Sequence, residues 1–327
     1  MRVAVNTPNL TREEMEKLIR QPRNLISVDI ETVSLDNRLP LGVAIGISDD
    51  VGFYFFDPRD DLLHLMVDNT PLILFQNAKY DIPIMTTLGY TIRRYEDTKL
   101  LAYAAGILEN SLAELSSSIL HRDCPSVTSL WRKKDQGNIA IDHLKLATIS
   151  ITHACNTYML WCRLPKTQLY KDIDRPSIDL LMEMEKWGIL IDQYKLTQVE
   201  QSVMVRAQAL EEEIKQELGN INLASNPQVA EALREKGVIG TRKTKSGKDA
   251  VSEESLKPLN HPLANKILKH RSEMKTLTTY IPFMRSPDSG GRIHTRFGYT
   301  DTGRWSSSAP NLQNITRDEK FRGMEDA

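Results

Sequence analysis

Residues 292–315 read RIHTRFGYTDTGRWSSSAPNLQNI, a stretch that is dense in Arg, Ser, Thr, Asn and Gln and is interrupted by Gly and Pro. Such side chains suit contacts to phosphate, sugar and base edges better than they suit a hydrophobic core. The stretch therefore predicts a polar binding surface, and the segments before it decide which fold presents that surface.

The composition is that of an ordinary globular protein, with 40% hydrophobic and 26% charged residues over 327 positions, a length that predicts two or three domains. The net charge is −1, so contact with nucleic acid would need a local cluster of positive charge. Cys124, Cys155 and Cys162 lack a metal-binding spacing and predict reduced thiols. Cys155 and Cys162, seven apart on one predicted helix face, are both expected in the core. No apolar run approaches the length of a membrane span, and no signal peptide precedes the first strand. We expect a cytoplasmic protein.

The first part of the chain alternates predicted strands and helices. Residues 25–32 (LISVDIET) predict a strand, and Asp29 and Glu31 project from the same face of it because they are two positions apart. Three further strands are predicted at residues 41–48, 51–56 and 71–75. Asp81 falls in the first turn of the helix that follows, where the helix dipole favours an anion.

Two segments here resemble the first two motifs of the DEDD exonucleases, the proofreading domain of family A DNA polymerases. They are the stretch VDIET at 28–32 and the pattern Asn77-x-x-x-Asp81. The resemblance implies an α/β domain at residues 1–165 with an RNase H-like mixed sheet and flanking helices. It also implies that Asn77 contacts DNA, and that Asp29, Glu31 and Asp81 hold two Mg²⁺ (or Mn²⁺) ions for 3′→5′ hydrolysis.

The chemistry explains these residue types. Two divalent ions about 3.5–4 Å apart can stabilise both the attacking and the leaving oxygen of a phosphodiester. Mg²⁺ prefers carboxylate oxygens and water, so several Asp or Glu side chains must converge.

The third family motif, Tyr-x-x-x-Asp on a later helix, is incomplete in this chain. The matching segment THACNTY at 152–158 has His153 in place of Tyr, and no Asp or Glu occurs between Asp142 and Asp172. Three interpretations stay open: an impaired or inactive exonuclease, a variant site in which His153 is a general base, and an ordinary helix histidine at 153.

The middle of the chain resembles the family A thumb. The stretch MEMEKWGILID at 182–192 matches the base of the thumb, and apolar residues at steps of three and four between 196 and 218 predict a long amphipathic helix. Residues 234–248 carry six Lys or Arg and one Glu, which suits either a solvated loop or a thumb tip that grips the DNA backbone. The resemblance implies backbone contacts by Arg242, Lys243, Lys245, Arg271 and Lys275.

The opening stretch resembles the start of the family A palm, with Trp305 and Thr316 as departures from the usual Leu and Pro. Primer–template contacts are implied for Arg304, Asn311, Gln313 and Asn314. The expected fold is thus an α/β domain (1–165), a mostly α thumb (166–285) and a partial palm (286–327).

The sequence ends before the catalytic carboxylates of a polymerase, so we expect synthesis only if a second chain supplies the remaining palm and fingers. A split gene, an interrupted gene and an incomplete gene product would each explain this, and the incomplete third exonuclease motif suggests a phage origin. The first functional hypothesis is an exonuclease acting on single-stranded 3′ ends that also grips primer–template duplex. The alternative is a non-catalytic primer–template-binding subunit. Either would act in a bacterial or phage-infected cytoplasm, with DNA as its partner.

Overall fold

The computed structural model describes residues 3–5, 12–33, 38–130, 142–238, 251–300 and 302–314. The chain divides into two compact units, Met1–Met184 and Glu185–Ala327. The predicted boundaries after residues 165 and 285 stay predictions.

The first unit is built around a six-stranded sheet. Its strands are β1 (Val3–Val5), β2 (Leu25–Thr32), β3 (Pro40–Gly46), β4 (Gly52–Phe55), β5 (Leu72–Phe75) and β6 (Tyr95–Asp97). The helices are α1 (Arg12–Ile19), α2 (Asp61–Asp68), α3 (Ala78–Thr87), α4 (Thr98–Ala104), α5 (Leu112–Leu115) and α6 (His143–Arg163). Helix α7 (Arg175–Trp187) begins in this unit and ends three residues past the boundary at Met184. A 3₁₀ turn spans Val127–Leu130, and π-helical turns span Ser116–Leu120 and Tyr170–Asp174.

The sheet is mixed, in the order β1-β4-β3-β2-β5-β6. The meander β2-β3-β4 and the edge strand β1 pair antiparallel, whereas β5 and β6 continue from β2 in parallel. The predicted mixed sheet with flanking helices is therefore confirmed. β2 lies centrally and its apolar residues Ile26, Val28 and Ile30 are buried.

Helix α6 packs closely against β2, β3 and β4. Asp142 begins it by accepting from the backbone N–H of Lys145 at 3.1 Å. The Ser27 hydroxyl of β2 donates to the carbonyl of Ala154 at 2.6 Å, and a Cβ at Gly46 would lie 2.8 Å from the Ala154 carbonyl carbon. The absence of a side chain at Gly46 therefore lets α6 approach the sheet. Cys155 is buried in this contact, but Cys162 in the last turn is exposed, so the prediction that both lie in the core was wrong for Cys162.

The second unit is mostly helical, as predicted. Its helices are α8 (Gln193–Leu218), α9 (Asn226–Glu235), α10 (Glu253–Leu256), α11 (Pro262–Lys275) and α12 (Ile281–Met284). Its strands are β7 (Ile189–Leu190), β8 (Arg292–Ile293), β9 (Arg296–Tyr299) and β10 (Trp305–Ser308). 3₁₀ turns span Lys257–Leu259 and Leu312–Asn314, and a π-helical turn at Thr276–Tyr280 joins α11 to α12.

The long amphipathic helix predicted between 196 and 218 is α8. Its buried residues Leu196, Val203, Ala207 and Ile214 follow the expected spacing. One end contributes Leu196 to a cluster with α12 and β8, and the other contributes Ile214 to a cluster with α9 and α11. Within the described ranges, no helix combines the length and the apolar character needed to cross a membrane.

Candidate metal centre

The structure brings Asp29 and Glu31 of β2 together with His153 of α6. His153 Nδ1 lies 3.7 Å from Asp29 Oδ2 and 3.5 Å from Glu31 Oε1. One ligand atom from each residue lies within 4.8 Å of the other two, and no other such group of three or more occurs among the described residues. The site therefore combines two oxygen donors on a rigid strand with one nitrogen donor on the helix packed against it.

A backbone carbonyl fixes the orientation of the His153 ring. Nε2 lies 2.8 Å from the Pro125 carbonyl oxygen, which can only accept, so Nε2 carries a proton and donates it. Nδ1 consequently faces the two carboxylates. Burial by itself lowers the pKa of His153, but its contacts with Asp29, Cys124 and Glu31 outweigh burial and raise the pKa well above its usual value.

The two carboxylates differ in how they are satisfied. Burial, followed by the charge of Asp29, raises the pKa of Glu31, and the Ser150 hydroxyl lies 3.2 Å from Glu31 Oε1. Asp29 Oδ2 is buried and has no hydrogen-bond partner among the residues that the structure describes. Buried charged oxygens are normally paired or bound to a metal, so Asp29 Oδ2 fits a metal ligand.

Tyr54 of β4 is a component of the site that sequence reasoning missed. Asp29, Ala44 and Tyr54 are neighbours across three strands, and Tyr54 is fully buried. A Cβ at Gly42, the β3 partner of Glu31, would lie 2.2 Å from the Tyr54 hydroxyl oxygen. Burial and then the charges of Glu31 and Asp29 raise the pKa of Tyr54, and its hydroxyl bonds to none of the described residues. The only available sequence signal was a tyrosine on a strand that pairs with a glycine-containing strand.

Asp81 is not a member of this three-residue group. It lies in the first turn of α3 and is buried. Burial raises its pKa well above the usual value, and the charges of Asp29, Asp97 and Glu31 add to the effect. Asp81 is thus electrostatically coupled to the site, and metal binding by it stays a prediction.

Asp97 organises the segment that carries Asp81 and Asn77. Its carboxylate accepts from the backbone N–H groups of Asn77 at 3.3 Å and Ala78 at 2.8 Å, and it caps α4 through Leu100 at 3.1 Å. Asn77 has a left-handed backbone with φ 83°. An Asp directly before a helix is a common cap, but the bonds from Asp97 to the start of a second helix carry no sequence signal.

Helix α6 supplies no carboxylate to the site. Thr157 occupies the position four residues after His153 where the Tyr-x-x-x-Asp pattern has Asp. Thr157 is fully buried, and its hydroxyl is unpaired within the part of the chain that is described. The position at which the family pattern has Asp therefore holds a small neutral side chain in this chain.

The stretch that opens at Arg292 forms a hairpin in which β9 pairs antiparallel with β10. Thr295 is buried beneath it, and its hydroxyl lies 2.6 Å from Ser307 Oγ, 3.1 Å from the Ser308 carbonyl and 2.7 Å from the Pro310 carbonyl. This threonine connects the hairpin to the segment that follows it.

The four predicted primer–template residues lie around this hairpin. Arg304 precedes β10 and Asn311 follows it, and both are exposed. The Gln313 amide donates to the Trp305 carbonyl at 2.9 Å and accepts from the Ser307 N–H at 3.2 Å, so it supports β10. Asn314 ends the 3₁₀ turn.

The predicted thumb contacts have different surroundings. Arg271 donates to the Val251 carbonyl at 2.5 Å and to Asn226 Oδ1 at 2.9 Å, so its guanidinium holds the segment before α10 against α9. The Lys275 ammonium lies 5.6 Å from the centre of the Tyr280 ring. Arg242, Lys243 and Lys245 lie outside the described residues. DNA contact by these five residues stays a prediction.

Comparison with known proteins adds two family matches. A model described as 3′-5′ exonuclease matches residues 8–148, and a model of DNA polymerase family A matches residues 193–327. Together these ranges contain the β2 carboxylates, α8 and the hairpin.

Curated relatives and a solved structure agree with these matches. DNA polymerase I of Rhizobium leguminosarum is 31% identical over 301 residues, covering 86% of this chain and 28% of that protein. DNA polymerase I of Borreliella burgdorferi is 28% identical over 353 residues, covering 97% of this chain and 38% of that protein. The chain thus spans about a third of the length of these relatives. The POL domain of Pol1 from M. smegmatis, in complex with DNA primer-template and dNTP, is 26% identical with a TM-score of 0.69, covering 92% of this chain and 54% of that one.

Proposed function

Because residues 8–148 belong to a 3′-5′ exonuclease family and residues 193–327 to DNA polymerase family A, we propose that this protein removes nucleotides from DNA 3′ ends and grips primer–template duplex. The observation that carries the proposal is the convergence of the Asp29, Glu31 and His153 ligand atoms within 4.8 Å. The buried Asp81 carboxylate beside them supports it, since four titratable groups in one electrostatically coupled site are typical of catalytic centres.

In this mechanism the side chains fix geometry and charge. Bound divalent cations would activate water and stabilise the charge that develops on the leaving 3′-oxygen. Asp29 and Glu31 keep their spacing because both belong to the central strand, and the Ser150 contact orients Glu31. The Pro125 carbonyl holds the imidazole of His153 against the carboxylates.

The primer–template grip is proposed for the second unit. The M. smegmatis structure is of a complex with primer-template, which supports duplex DNA as the partner. Contacts that recognise phosphates and the common minor-groove acceptors would suit an enzyme that accepts any sequence. We propose that the contacts come from Arg242, Lys243, Lys245, Arg271, Lys275, Arg304, Asn311, Gln313 and Asn314, and that Asn77 contacts the single-stranded 3′ end.

The test is digestion of a 5′-labelled single-stranded DNA in Mg²⁺ or Mn²⁺. We expect a ladder that shortens from the 3′ end and stops on chelation. Asp29→Asn and Glu31→Gln should slow it by on the order of 100-fold or more, because each removes a charge that the transition state needs. Glu114→Gln is the matched control, since Glu114 lies in the same unit but is exposed and bonded to Ser111. Equal digestion by wild type and Asp29→Asn would contradict the assignment.

One observation favours a second candidate, a non-catalytic primer–template-binding protein. The motif position for the fourth carboxylate holds Thr157. This candidate predicts DNA affinity that falls steeply with salt, together with no digestion in either metal. In both candidates, exchanging Lys243 and Lys245 for Glu should weaken DNA binding, because basic side chains release counterions from the backbone.

A further inference from the structure

We propose that His153 binds the catalytic metal through Nδ1 in place of the missing fourth carboxylate, and that the site therefore selects Mn²⁺ over Mg²⁺. The inference deepens the proposed exonuclease function, and its relevance to DNA hydrolysis rests on that function. The binding of the ion itself can be measured without DNA.

The spacing of the three side chains fits a shared ion. Ligand atoms that each lie about 2.1 Å from one cation are roughly 3.0–3.5 Å apart, depending on the coordination geometry. The separations of Nδ1 from Glu31 Oε1 and Asp29 Oδ2 are 3.5 and 3.7 Å. A direct charge-assisted hydrogen bond would draw these atoms to about 2.7–2.9 Å. The observed distances from Nδ1 to the two carboxylate oxygens are closer to those between ligands of one ion than to those of a direct hydrogen bond.

The ring is also presented in the tautomer that metal binding requires. Because the Pro125 carbonyl takes the Nε2 proton, loss of the second proton leaves the lone pair on Nδ1. A backbone carbonyl on the distal nitrogen is the usual arrangement that orients a metal-binding histidine. The ring is held by α6, and α6 is held to β2 by the bond from Ser27 to Ala154.

Two buried polar atoms at this place lack a hydrogen-bond partner among the described residues and are compatible with a bound cation. Asp29 Oδ2 has no hydrogen-bond partner in the described ranges, and neither has the hydroxyl of the fully buried Tyr54. The Tyr54 hydroxyl occupies the space left by Gly42, directly across from Glu31. A bound cation would satisfy Asp29 Oδ2, and a water on that cation could accept from Tyr54. Buried polar atoms in proteins normally have a hydrogen-bond partner or a bound metal, so both atoms fit a site that holds a cation.

The donor set determines the preference among metals. Mg²⁺ prefers oxygen ligands and gives up its water reluctantly, so exchanging a carboxylate for a neutral imidazole weakens its binding. Mn²⁺ accepts both carboxylate and imidazole donors, and the later first-row ions bind nitrogen more strongly still. Two carboxylates with one imidazole should therefore bind Mn²⁺ at least about tenfold more tightly than Mg²⁺.

The experiment measures free Mn²⁺ by electron paramagnetic resonance while DNA-free protein is titrated, and then displaces bound Mn²⁺ with Mg²⁺. Wild type should bind Mn²⁺ and resist displacement. His153→Ala should weaken Mn²⁺ binding by about tenfold or more, as losing a ligand does. His153→Asp should let Mg²⁺ displace Mn²⁺ at about tenfold lower concentration, because an oxygen ligand is restored. His143→Ala, an exposed histidine at the start of the same helix, should match wild type.

Several outcomes would overturn the inference: wild type that binds no Mn²⁺, folded His153→Ala that binds it as tightly as wild type, or His153→Asp with an unchanged Mn²⁺/Mg²⁺ preference. Circular dichroism establishes that each variant is folded. If the binding pattern holds while no DNA is shortened, the metal assignment stands and the exonuclease proposal fails. If DNA is digested equally well by wild type and His153→Ala in Mg²⁺, the exonuclease proposal stands and the role of His153 fails.

Discussion

Exchanging Gly46 for Ala should displace His153 from the carboxylates without changing any side chain of the site. Gly46 is the β3 residue against which α6 packs, and an added Cβ would lie 2.5 Å from Ser27 Oγ and 2.8 Å from the backbone carbon of Ala154. Ser27 can rotate, but the backbone of a helix cannot yield locally. The helix must therefore move away from the sheet, and His153, the neighbour of Ala154, moves with it.

The size of the helix displacement follows from the distance between the added Cβ and the Ala154 carbonyl carbon, which is 2.8 Å. Ordinary van der Waals contact begins at 3.4 Å, so α6 must retreat by about 0.6 Å at Ala154. Metal–ligand distances tolerate only about 0.2 Å, so a shift of this size should weaken metal binding by about tenfold. Overpacking of this kind also costs about 1–3 kcal/mol of unfolding free energy.

The assay pairs Mn²⁺ titration with urea unfolding of the same preparation. Gly298→Ala is the control, because Gly298 also lies in a strand but an added Cβ would meet only Ser306 Oγ at 3.4 Å. Adding Ser27→Ala to Gly46→Ala removes the 2.5 Å contact but leaves the clash with Ala154, so it should not restore binding. A Gly46→Ala protein with wild-type stability and wild-type Mn²⁺ affinity would refute the claim that this contact positions His153.

Three further predictions concern side chains whose hydrogen bonds stabilise the two units. Asp97→Ala should lower the free energy of unfolding by about 3 kcal/mol in a denaturant titration, because three backbone N–H groups lose their acceptor. As a control, Asp142→Ala removes the acceptor of one backbone N–H at the start of α6 and should cost about 1 kcal/mol. Thr295→Val should lower the free energy of unfolding of the second unit by about 2 kcal/mol, measured by urea titration. The Thr295 hydroxyl is buried among three oxygen partners, and valine cannot bond to them. The hydrogen bond to Asp288 raises the pKa of His294. This bond therefore stabilises the folded protein fully below the pKa of an unfolded histidine, about 6.5, and the stabilisation is lost as the pH rises through the raised pKa. His294→Asn should remove that decline from a series of unfolding curves, and a decline of equal size in the variant would assign it to another group.

The strands and the β2 carboxylates were predictable because their physics is local. Alternation along 25–32 places Asp29 and Glu31 on one face whatever surrounds the strand. The period of α8 was equally clear, because its apolar residues recur at steps of three and four between 196 and 218. These features follow from the spacing of residues along a single element.

Features that depend on contacts between elements were not predictable. The Tyr54 hydroxyl fits over Gly42, the strand partner of Glu31, only because Gly42 has no side chain. Cys162 shares a helix face with Cys155, yet it lies in the last turn of α6 and is exposed. The family resemblance implied a DNA contact for Arg271, but it could not show that Arg271 bonds to Val251 and Asn226.

For His153 the sequence predicted the position but not the role. The sequence marked the position as a departure from a motif, and left a general base, an ordinary histidine and an inactive site as alternatives. Only the structure shows that Pro125 takes Nε2 and leaves Nδ1 facing two carboxylates. A backbone carbonyl 28 residues away carries no sequence signal.

The central claim is that Asp29, Glu31 and His153 together hold the metal at which DNA 3′ ends are hydrolysed. Its most direct test is a crystal of the protein with Mn²⁺ and a single-stranded oligonucleotide, examined by anomalous diffraction. The account predicts an anomalous peak within bonding distance of Asp29 Oδ2, Glu31 Oε1 and His153 Nδ1, with the 3′-terminal phosphodiester beside it. A peak that contacts the carboxylates but not His153, or no peak at this site while the oligonucleotide is bound, would contradict it.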